Sequence, residues 1–515
     1  MILSFIKKRC SWIWLFSLFI VALIYRFYGT THNHPFWVDE FSTVSQANLY
    51  IKYGINVLFN PEINFEYNNY TYHLLTAAFF QFFGHSEFVA RLPSIIIGST
   101  IPILIYLLGK LVFNKTTAVS AALLTTFSYF EIVWSRQARG YVLLQALILL
   151  ALYLYLDIYK RRNAGLIQWV LLIVVLLAGI FTHFFFYILL VPLAVHILFT
   201  QQDKIKYLLR KKLTYLFLAI IGLLLFNLRL FHVVYALLST GLFKANNLWY
   251  YHSFLWREYG LISFLAVVGI SISILKPNKS SLILTAYVIA QLVFLSFFIS
   301  PYVTRYILPI FPLLILFACY AISQVSPKSR TILPIALILF IIVNGDKFAT
   351  KPKQFYSVNH DFREIAIIDY NNVYDIIKSK GNLKAQKTAV IDTWLDRMYW
   401  YVGDDYPASY MFRWINEPGL INGLTKRTDY IINSEGEKRI PRQKNLRFIG
   451  ELKDLKMAMK KYPKGFIFID DSSLPKDVID YAEKNFKKEL YLDHYPLDDN
   501  PYSIWPATLY SWGIN

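Results

Sequence analysis

The chain has 515 residues, of which 56% are hydrophobic, and its mean hydropathy is +0.40. This composition excludes a soluble protein of the same length, because the apolar side chains recur in blocks of about 17–22 residues, the length that crosses a bilayer as helix. The net charge of +19 belongs mostly to residues 1–350, which carry 27 Lys and Arg against 10 Asp and Glu. No soluble basic face concentrates these cations, so we do not expect nucleic-acid binding.

The first 350 residues are predicted to contain about eleven membrane-spanning helices. They lie near 11–28, 90–112, 116–132, 141–159, 166–182, 184–200, 213–232, 259–275, 281–299, 306–324 and 331–347. Lys and Arg concentrate in alternate loops, as the positive-inside rule requires when the basic residues 7–9 are cytoplasmic. No small-residue cleavage site follows the first hydrophobic segment, so it is predicted to remain as a membrane helix. An odd number of spans places the C-terminal tail outside the cytoplasm.

Residues 29–89 are predicted to form a long outer loop that opens with His34-Pro35-Phe36-Trp37-Val38-Asp39-Glu40. Two helices are predicted in this loop, at 38–53 and 71–84; the second is too short to span comfortably and is expected at the interface or against the bundle. Two adjacent carboxylates at interface depth are costly without a purpose. Asp39 and Glu40 are therefore candidate catalytic residues, since a carboxylate suits a general base. The alternative is that Asp39 only caps the helix that follows it.

Arginines in predicted outer loops are a second candidate group, because the positive-inside rule disfavours cations there. A phosphate, a lipid head group or the acidic pair would each be a suitable partner. A histidine between two spans is a third candidate. The predicted substrate-binding residues are Arg136, Arg139, Tyr141, His183, Arg305 and Tyr306. Two alternatives stay open: the arginines bind ordinary anionic lipid, and His183 is a packed, hydrogen-bonded residue.

Several kinds of site are missing from the sequence. It has no Gly-rich phosphate loop with a Walker lysine and no His/Cys cluster with zinc spacing. We therefore expect no energy input from ATP, and a donor has to bring its own activation from the lipid phase. The two cysteines, Cys10 and Cys319, lie in or beside hydrophobic segments, which excludes a disulfide framework.

Residues 351–515 are predicted to form a soluble α/β domain, separate from a transmembrane catalytic domain at residues 1–350. A strand at 389–391 precedes a helix at 393–402, and a second strand is predicted at 430–432. A strand at 465–469, a helix at 475–488 and a strand at 490–492 follow in β-α-β order.

Six short motifs occur in order along the first two thirds of the chain. They are Trp37-Val38-Asp39-Glu40, Phe83-Gly84-x-x-Glu87-x-x-Ala90-Arg91-Leu92-Pro93-Ser94, Tyr106-x-x-Gly109, Ser135-Arg136-x-x-Arg139-x-Tyr141, Thr182-His183-Phe184 and Arg305-Tyr306-x-x-Pro309. Together they resemble the GT-C membrane glycosyltransferases of the protein-mannosyltransferase-like class, which includes the bacterial family-39-type enzymes and the aminoarabinose transferase of lipid A. The resemblance covers roughly residues 10–325 and none of the tail.

The resemblance implies an inverting transfer of a sugar from a polyprenyl-phosphate donor to a hydroxyl of a glycan, lipid or protein acceptor. Asp39 matches the catalytic aspartate of the family, and Glu40 matches its neighbour. Two carboxylates are able to hold a divalent cation, but related sites work without one, so no metal or other cofactor is predicted. Many members carry His/Lys-Pro-Pro-Leu-Tyr-Tyr where this chain has the stretch 67–72, without the prolines and the basic residue. That departure shifts phosphate binding to Arg136, Arg139 and Arg305.

The sequence as a whole predicts a polytopic α-helical membrane protein with a GT-C-like fold and a C-terminal extracytoplasmic α/β domain, in a bacterial or archaeal plasma membrane. Its predicted partners are a polyprenyl-phosphate-linked sugar, an acceptor and membrane lipids. One alternative function is a lipid-linked-sugar flippase or other transporter, although the inverted repeat common in transporters is not found in the sequence. Another is a ligase or polymerase that joins whole lipid-linked glycans.

Overall fold

The structure is a computed structural model and describes most of the chain. The described residues are 2–32, 35–58, 69–161, 165–200, 222, 246–299, 303–325, 335, 338–342, 347–353, 368–403, 406–413, 431–440, 446–470, 474–494 and 504–514. The chain divides into two units, of which the first comprises Met1–His32 and Ala47–Asn359 and the second comprises Asn33–Gln46 and His360–Asn515. The division falls near the predicted boundary at residue 350, but it groups residues 33–46 with the tail.

Twelve α-helices precede the tail within the described residues. They are α1 (Ile2–Phe27), α2 (Val38–Tyr53), α3 (Tyr70–Phe83), α4 (Glu87–Val112), α5 (Lys115–Phe127), α6 (Tyr129–Ser135), α7 (Tyr141–Lys160), α8 (Leu166–Thr182), α9 (Phe186–Thr200), α10 (Leu248–Leu275), α11 (Lys279–Phe297) and α12 (Phe311–Val325). The helices predicted at 38–53 and 71–84 are confirmed as α2 and α3. Of two further predicted spans, 213–232 is described only at residue 222, and 331–347 only at residues 335, 338–342 and 347.

Four of these helices, α4, α7, α10 and α11, are long and apolar enough to cross a membrane. Shorter apolar helices occupy Trp12–Phe27, Leu166–Thr182, Phe186–Leu198 and Phe311–Gln324. The chain is therefore an integral membrane protein with helical spans. The predicted number of about eleven spans, and the side of the membrane on which the tail lies, stay predictions.

Side-chain caps fix where two of these helices, α4 and α5, begin. The Ser86 hydroxyl accepts a hydrogen bond from the Val89 amide at the start of α4, and the Asn114 side chain accepts from the Thr117 amide, 2.9 Å away, at the start of α5. Helices α10 and α12 pack closely where Gly269 lies against the backbone of Phe317, because a Cβ atom at residue 269 would overlap the Phe317 carbonyl oxygen. Small residues at such crossings let membrane helices approach each other.

The second unit is built on an eight-stranded mixed sheet with the order β3-β4-β5-β2-β1-β6-β8-β7. Its strands are β1 (Thr388–Asp392), β2 (Ser409–Phe412), β3 (Ile431–Ile432), β4 (Lys438–Ile440), β5 (Leu446–Ile449), β6 (Lys464–Ile469), β7 (Lys487–His494) and β8 (Ile504–Trp512). Its helices are α13 (Tyr370–Gly381), α14 (Leu395–Val402), α15 (Leu452–Lys461) and α16 (Lys476–Asn485). The four central strands β5-β2-β1-β6 are parallel, and their inner side chains form the core with α15 and α16.

The predicted α/β class of the tail is confirmed, with two differences in detail. The predicted β-α-β order at 465–492 is found as β6-α16-β7, but β8 lies between the two strands and pairs antiparallel with both. Strand β8 comes later in the chain than both β6 and β7, so a local sequence pattern does not reveal that it pairs between them. Tyr430, which was predicted to start a strand, lies outside the described residues, and β3 begins at Ile431.

Candidate functional site

Five of the six predicted substrate-binding residues come together in the first unit. We call this group the arginine cluster and define it as Arg139, Tyr141, His183, Arg305 and Tyr306. Arg139 lies in the loop between α6 and α7, Tyr141 is the first residue of α7, and His183 follows the last residue of α8. Arg305 and Tyr306 lie in a short 3-10 helix, Thr304–Ile307. The fold thus assembles three loops that are far apart in sequence.

The Tyr141 ring is the centre of the cluster. The ring centroid of His183 is 5.3 Å from that of Tyr141, and the Tyr306 centroid is 6.1 Å away. The guanidinium carbon of Arg139 lies 5.9 Å from the Tyr141 centroid, and that of Arg305 lies 5.8 Å from it. Arg305 Nε also donates to the Tyr141 hydroxyl over 3.4 Å. Two guanidinium groups therefore share one aromatic ring, in cation–π geometry.

His183 is neutral in this environment. Burial, together with the positive charges of Arg139 and Arg305, lowers its pKa to about 3. Its Nδ1 accepts a hydrogen bond from the Phe185 amide over 3.2 Å, so the ring proton is on Nε2 and that atom is a donor. His183 is also packed against the rings of Phe184 and Phe185, each with a centroid distance of 4.6 Å. The packed, hydrogen-bonded histidine foreseen as an alternative is present, and the same residue adds a neutral donor to a doubly cationic site.

Arg136, the sixth predicted residue, makes a different contact. It is buried, and its Nη1 donates to the backbone carbonyl of Lys353 over 3.2 Å. This bond ties the loop after α6 to a segment more than 200 residues later. The predicted role of Arg136 in phosphate binding is untested by this contact and stays a prediction.

Asn69 is a residue that the sequence analysis did not single out. It has a left-handed backbone with φ of 64°, a conformation in which Asn is enriched. Its backbone N–H donates to the backbone carbonyl of Thr182, the residue before His183, over 2.8 Å. Its side-chain oxygen lies so close to Gly140 that a Cβ atom there would be 2.6 Å from it. Asn69 thus connects the loops that carry Tyr141 and His183. The one feature of the sequence that pointed to Asn69 is its place in the stretch 67–72, which departs from the family motif.

The two adjacent acids belong to the second unit and differ in their surroundings. Glu40 is fully buried, and one of its carboxylate oxygens accepts a hydrogen bond from the Trp37 amide over 3.3 Å. This bond closes the start of α2, which begins at Val38. Asp39 is only partly buried, and its backbone carbonyl accepts from the Thr43 hydroxyl. The helix begins at Val38, one residue before Asp39, and the Glu40 carboxylate bonds the backbone just before it.

Aromatic rings anchor the acid-bearing segment within the second unit. Phe36 lies 5.5 Å from Phe41 and 5.2 Å from Trp400 of α14, measured between ring centroids. Phe41 lies 5.7 Å from Tyr370 of α13 and 5.8 Å from Tyr401 of α14. Phe36 and Phe41 are both buried. We call these five residues the aromatic clamp; two of them come from the segment that carries Asp39 and three from the tail.

Part of the sequence matches a known protein family, and the fold is similar to solved membrane-protein structures. Residues 70–232 match the family described as dolichyl-phosphate-mannose-protein mannosyltransferase. No curated protein matches the sequence. The fold is similar to the crystal structure of ArnT from Cupriavidus metallidurans in the apo state, with a TM-score of 0.57 and 12% identity over 98% of each chain. The same protein bound to undecaprenyl phosphate gives a TM-score of 0.53 and 14% identity, over 97% of this chain and 98% of that one.

An archaeal structure is also similar. It is the oligosaccharyltransferase AglB from Archaeoglobus fulgidus in complex with an inhibitory peptide and a dolichol-phosphate, with a TM-score of 0.54 and 12% identity. The alignment covers 95% of this chain and 74% of that one. The predicted architecture, a helical membrane region followed by an α/β domain, is confirmed by the structure, and its fold is similar to that of ArnT.

Proposed function

Because this chain is a GT-C glycosyltransferase of the dolichyl-phosphate-mannose-protein mannosyltransferase family, we propose that it transfers a sugar from a polyprenyl phosphate to an acceptor hydroxyl. The transfer inverts the anomeric carbon and takes place on the outer face of a bacterial or archaeal plasma membrane. The acceptor is a glycan, a lipid or a protein. The observation that carries the proposal is the arginine cluster, in which two loops place the guanidinium groups of Arg139 and Arg305 beside the Tyr141 ring.

The arginine cluster fits the phosphate of the donor. Like charges that share a ring repel each other, and an anion bound beside both would relieve that repulsion. Guanidinium groups match phosphate oxygens with paired hydrogen bonds, and the Nε2–H of His183 adds a neutral donor. The ArnT structure with undecaprenyl phosphate and the AglB structure with a dolichol-phosphate support a polyprenyl phosphate as the anion. Arg136 is assigned to the same phosphate from its place in the motif.

We assign the general base to Asp39. In an inverting displacement the acceptor oxygen forms a bond to the anomeric carbon while the bond from that carbon to the phosphate oxygen breaks. The electron pair of the breaking bond goes to the phosphate, which leaves as the polyprenyl phosphate, and the acceptor proton goes to the Asp39 carboxylate. Arg139 and Arg305 stabilise the charge that develops on the leaving phosphate. Glu40 supports the base by fixing the start of its helix.

The base assignment is tested by two isosteric substitutions at adjacent positions. Asp39→Asn removes the base, and we expect turnover to fall by about 10²–10⁴-fold, the usual contribution of a general base. Glu40→Gln is the matched control, because an amide oxygen still accepts the hydrogen bond from the Trp37 amide that the structure shows. Turnover is measured as release of undecaprenyl phosphate from undecaprenyl-phosphate monosaccharides in membranes of the source organism. Wild-type turnover in Asp39→Asn would refute the assignment.

Product analysis separates the proposed function from its alternatives. With a radiolabelled undecaprenyl-phosphate monosaccharide, a transferase moves the label to an acceptor and releases undecaprenyl phosphate. A flippase or other transporter leaves the labelled donor intact. A ligase or polymerase of whole glycans leaves the monosaccharide donor unused and consumes a lipid-linked oligosaccharide instead.

A further inference from the structure

The tail has a buried charge cluster at the carboxyl ends of its central strands. Asp392 is the last residue of β1, and Asp470 follows the last residue of β6. Arg397 of α14 bonds both carboxylates, with Nε 3.0 Å from an Asp392 oxygen and Nη1 2.8 Å from an Asp470 oxygen. All three side chains are buried. Burial opposes the charge on Arg397, but the two aspartates outweigh it and raise the pKa of its guanidinium.

This charge cluster lies where an open α/β sheet commonly binds a ligand. Strands β2 to β5 all lie on one side of β1, and the chain then crosses back to β6 on the other side of β1. The strand order therefore reverses beside β1. In open α/β sheets, the crevice outside the strand ends at such a switch point is the usual ligand site.

In this chain aromatic side chains cover that position. The Arg397 guanidinium lies 4.4 Å from the centroid of Tyr370 and 4.9 Å from that of Phe468. Tyr374, whose hydroxyl donates to Asp392, stacks on Tyr401 with a centroid distance of 4.3 Å. Tyr370 and Tyr401 are the rings that contact Phe41 of the acid-bearing segment. The strand ends, the charge cluster and the aromatic clamp therefore form one continuous set of contacts.

We propose that the tail domain is a positioning device for Asp39, with Tyr370, Trp400 and Tyr401 as its positioning residues. The proposal rests on the assignment of Asp39 as general base. Phe36 and Phe41 stand on either side of Asp39 in the chain, and each is held by rings from the tail. The clamp thus fixes the backbone before and after the catalytic carboxylate.

Positioning of this kind has a large effect on rate. A general base has to lie within hydrogen-bond reach of the proton that it removes, and a displacement of about 1 Å costs on the order of 10²-fold in rate. Asp39 lies in the first turn of its helix, where the Glu40 carboxylate accepts from the Trp37 amide and the Thr43 hydroxyl donates to the Asp39 carbonyl. Rings at Phe36 and Phe41 supply further contacts on both sides.

Trp400→Leu is the test, because it keeps an apolar side chain in α14 and removes the ring that contacts Phe36. In the full-length protein in lipid nanodiscs, we expect kcat for donor turnover to fall about 10- to 100-fold, with KM for the donor nearly unchanged. Amide hydrogen exchange in residues 38–46 should accelerate at least about tenfold. The probe donor is an undecaprenyl-phosphate monosaccharide that the wild-type protein turns over.

The matched control is Phe486→Leu. Phe486 stacks on Trp512, with a centroid distance of 5.1 Å, in the core of the tail and outside the clamp. This substitution lowers the melting temperature of the tail but should leave kcat and the exchange of residues 38–46 unchanged. A merely structural role of Trp400 predicts that the two variants lose activity equally, and that result would overturn the proposal. Unchanged exchange in Trp400→Leu would overturn it as well.

Asp39→Asn is measured beside these variants so that the two possible failures are told apart. Full activity of Asp39→Asn overturns the base assignment itself. An inactive Asp39→Asn together with wild-type kcat in Trp400→Leu leaves the base in place and overturns its positioning by the tail.

Discussion

Replacement of either cluster arginine should weaken recognition of the phosphate of a polyprenyl lipid. Both guanidinium groups lie within 6 Å of the Tyr141 centroid, so they are at most about 12 Å apart. At an effective dielectric constant of about 20, their mutual repulsion is then at least about 1.4 kcal/mol. A phosphate bound beside the Tyr141 ring would attract both guanidinium groups and offset this repulsion.

The size of the effect follows from the strength of charged hydrogen bonds. A hydrogen bond to a charged group contributes about 1.5–3 kcal/mol, and each 1.4 kcal/mol is a factor of ten in affinity. Arg139→Gln and Arg305→Gln should therefore each weaken binding of undecaprenyl phosphate about 10- to 150-fold. Arg305→Lys should recover only part of the loss, because lysine keeps the charge but lacks the planar fork.

The assay compares undecaprenyl phosphate with undecaprenol, which has the same chain and no phosphate. The wild-type protein in nanodiscs should prefer the phosphate, measured by displacement of a fluorescent polyprenyl phosphate, and each glutamine variant should lose most of that preference. Arg161→Gln is the control, since its exposed guanidinium pairs with Asp157 at the opposite end of α7 from Tyr141. A wild-type preference in Arg139→Gln or Arg305→Gln, or an equal loss in Arg161→Gln, would refute the reasoning.

Two further predictions concern stability. Gly269→Ala should lower the melting temperature markedly, because the added Cβ atom overlaps the Phe317 carbonyl oxygen. Gly260→Ala in the same helix is the control and should be tolerated, because the nearest atom to its added Cβ is 3.8 Å away, in Trp256. Equal melting temperatures for the two variants would contradict the close crossing of α10 and α12. The pKa of His183 is about 3 in the folded protein and about 6.5 in the unfolded chain. Its contribution to the free energy of unfolding is therefore complete above pH 6.5 and is lost as the pH falls towards 3. The loss is up to roughly 1.4 kcal/mol per pH unit. His183→Gln should flatten the acid limb of a melting-temperature profile, and an unchanged slope would argue against a buried neutral histidine.

The elements predictable from sequence are those that rest on local pattern. Helix α2 was predicted at the residues it occupies, and the apolar blocks at 141–159 and 166–182 were predicted to within two residues of α7 and α8. These segments carry their signal in composition and length. The insertion of β8 between β6 and β7 carried no local signal, because strand neighbours are chosen by contacts between distant segments.

The candidate site was predictable as a set of residues but not as an arrangement. Position in loops singled out Arg139, His183 and Arg305, and the fold brings them to one ring. The same loop offered Arg136 with equal weight, and only the backbone path shows that it donates to Lys353. The contacts of Phe36 and Phe41 with the tail join residues more than 320 positions apart, and no pattern in either segment announced them.

Two pairs of like residues make different contacts within each pair. Glu40 bonds the amide of Trp37, the residue before its helix, while Asp39 lies about 100° around the helix axis from it. Arg136 bonds a backbone carbonyl, while Arg139 lies over Tyr141. A reactive or binding side chain has to be held in place by neighbours whose own conformations are locked. On the proposed assignment, Glu40 therefore needs no chemical role of its own, because it fixes the start of the helix that carries Asp39.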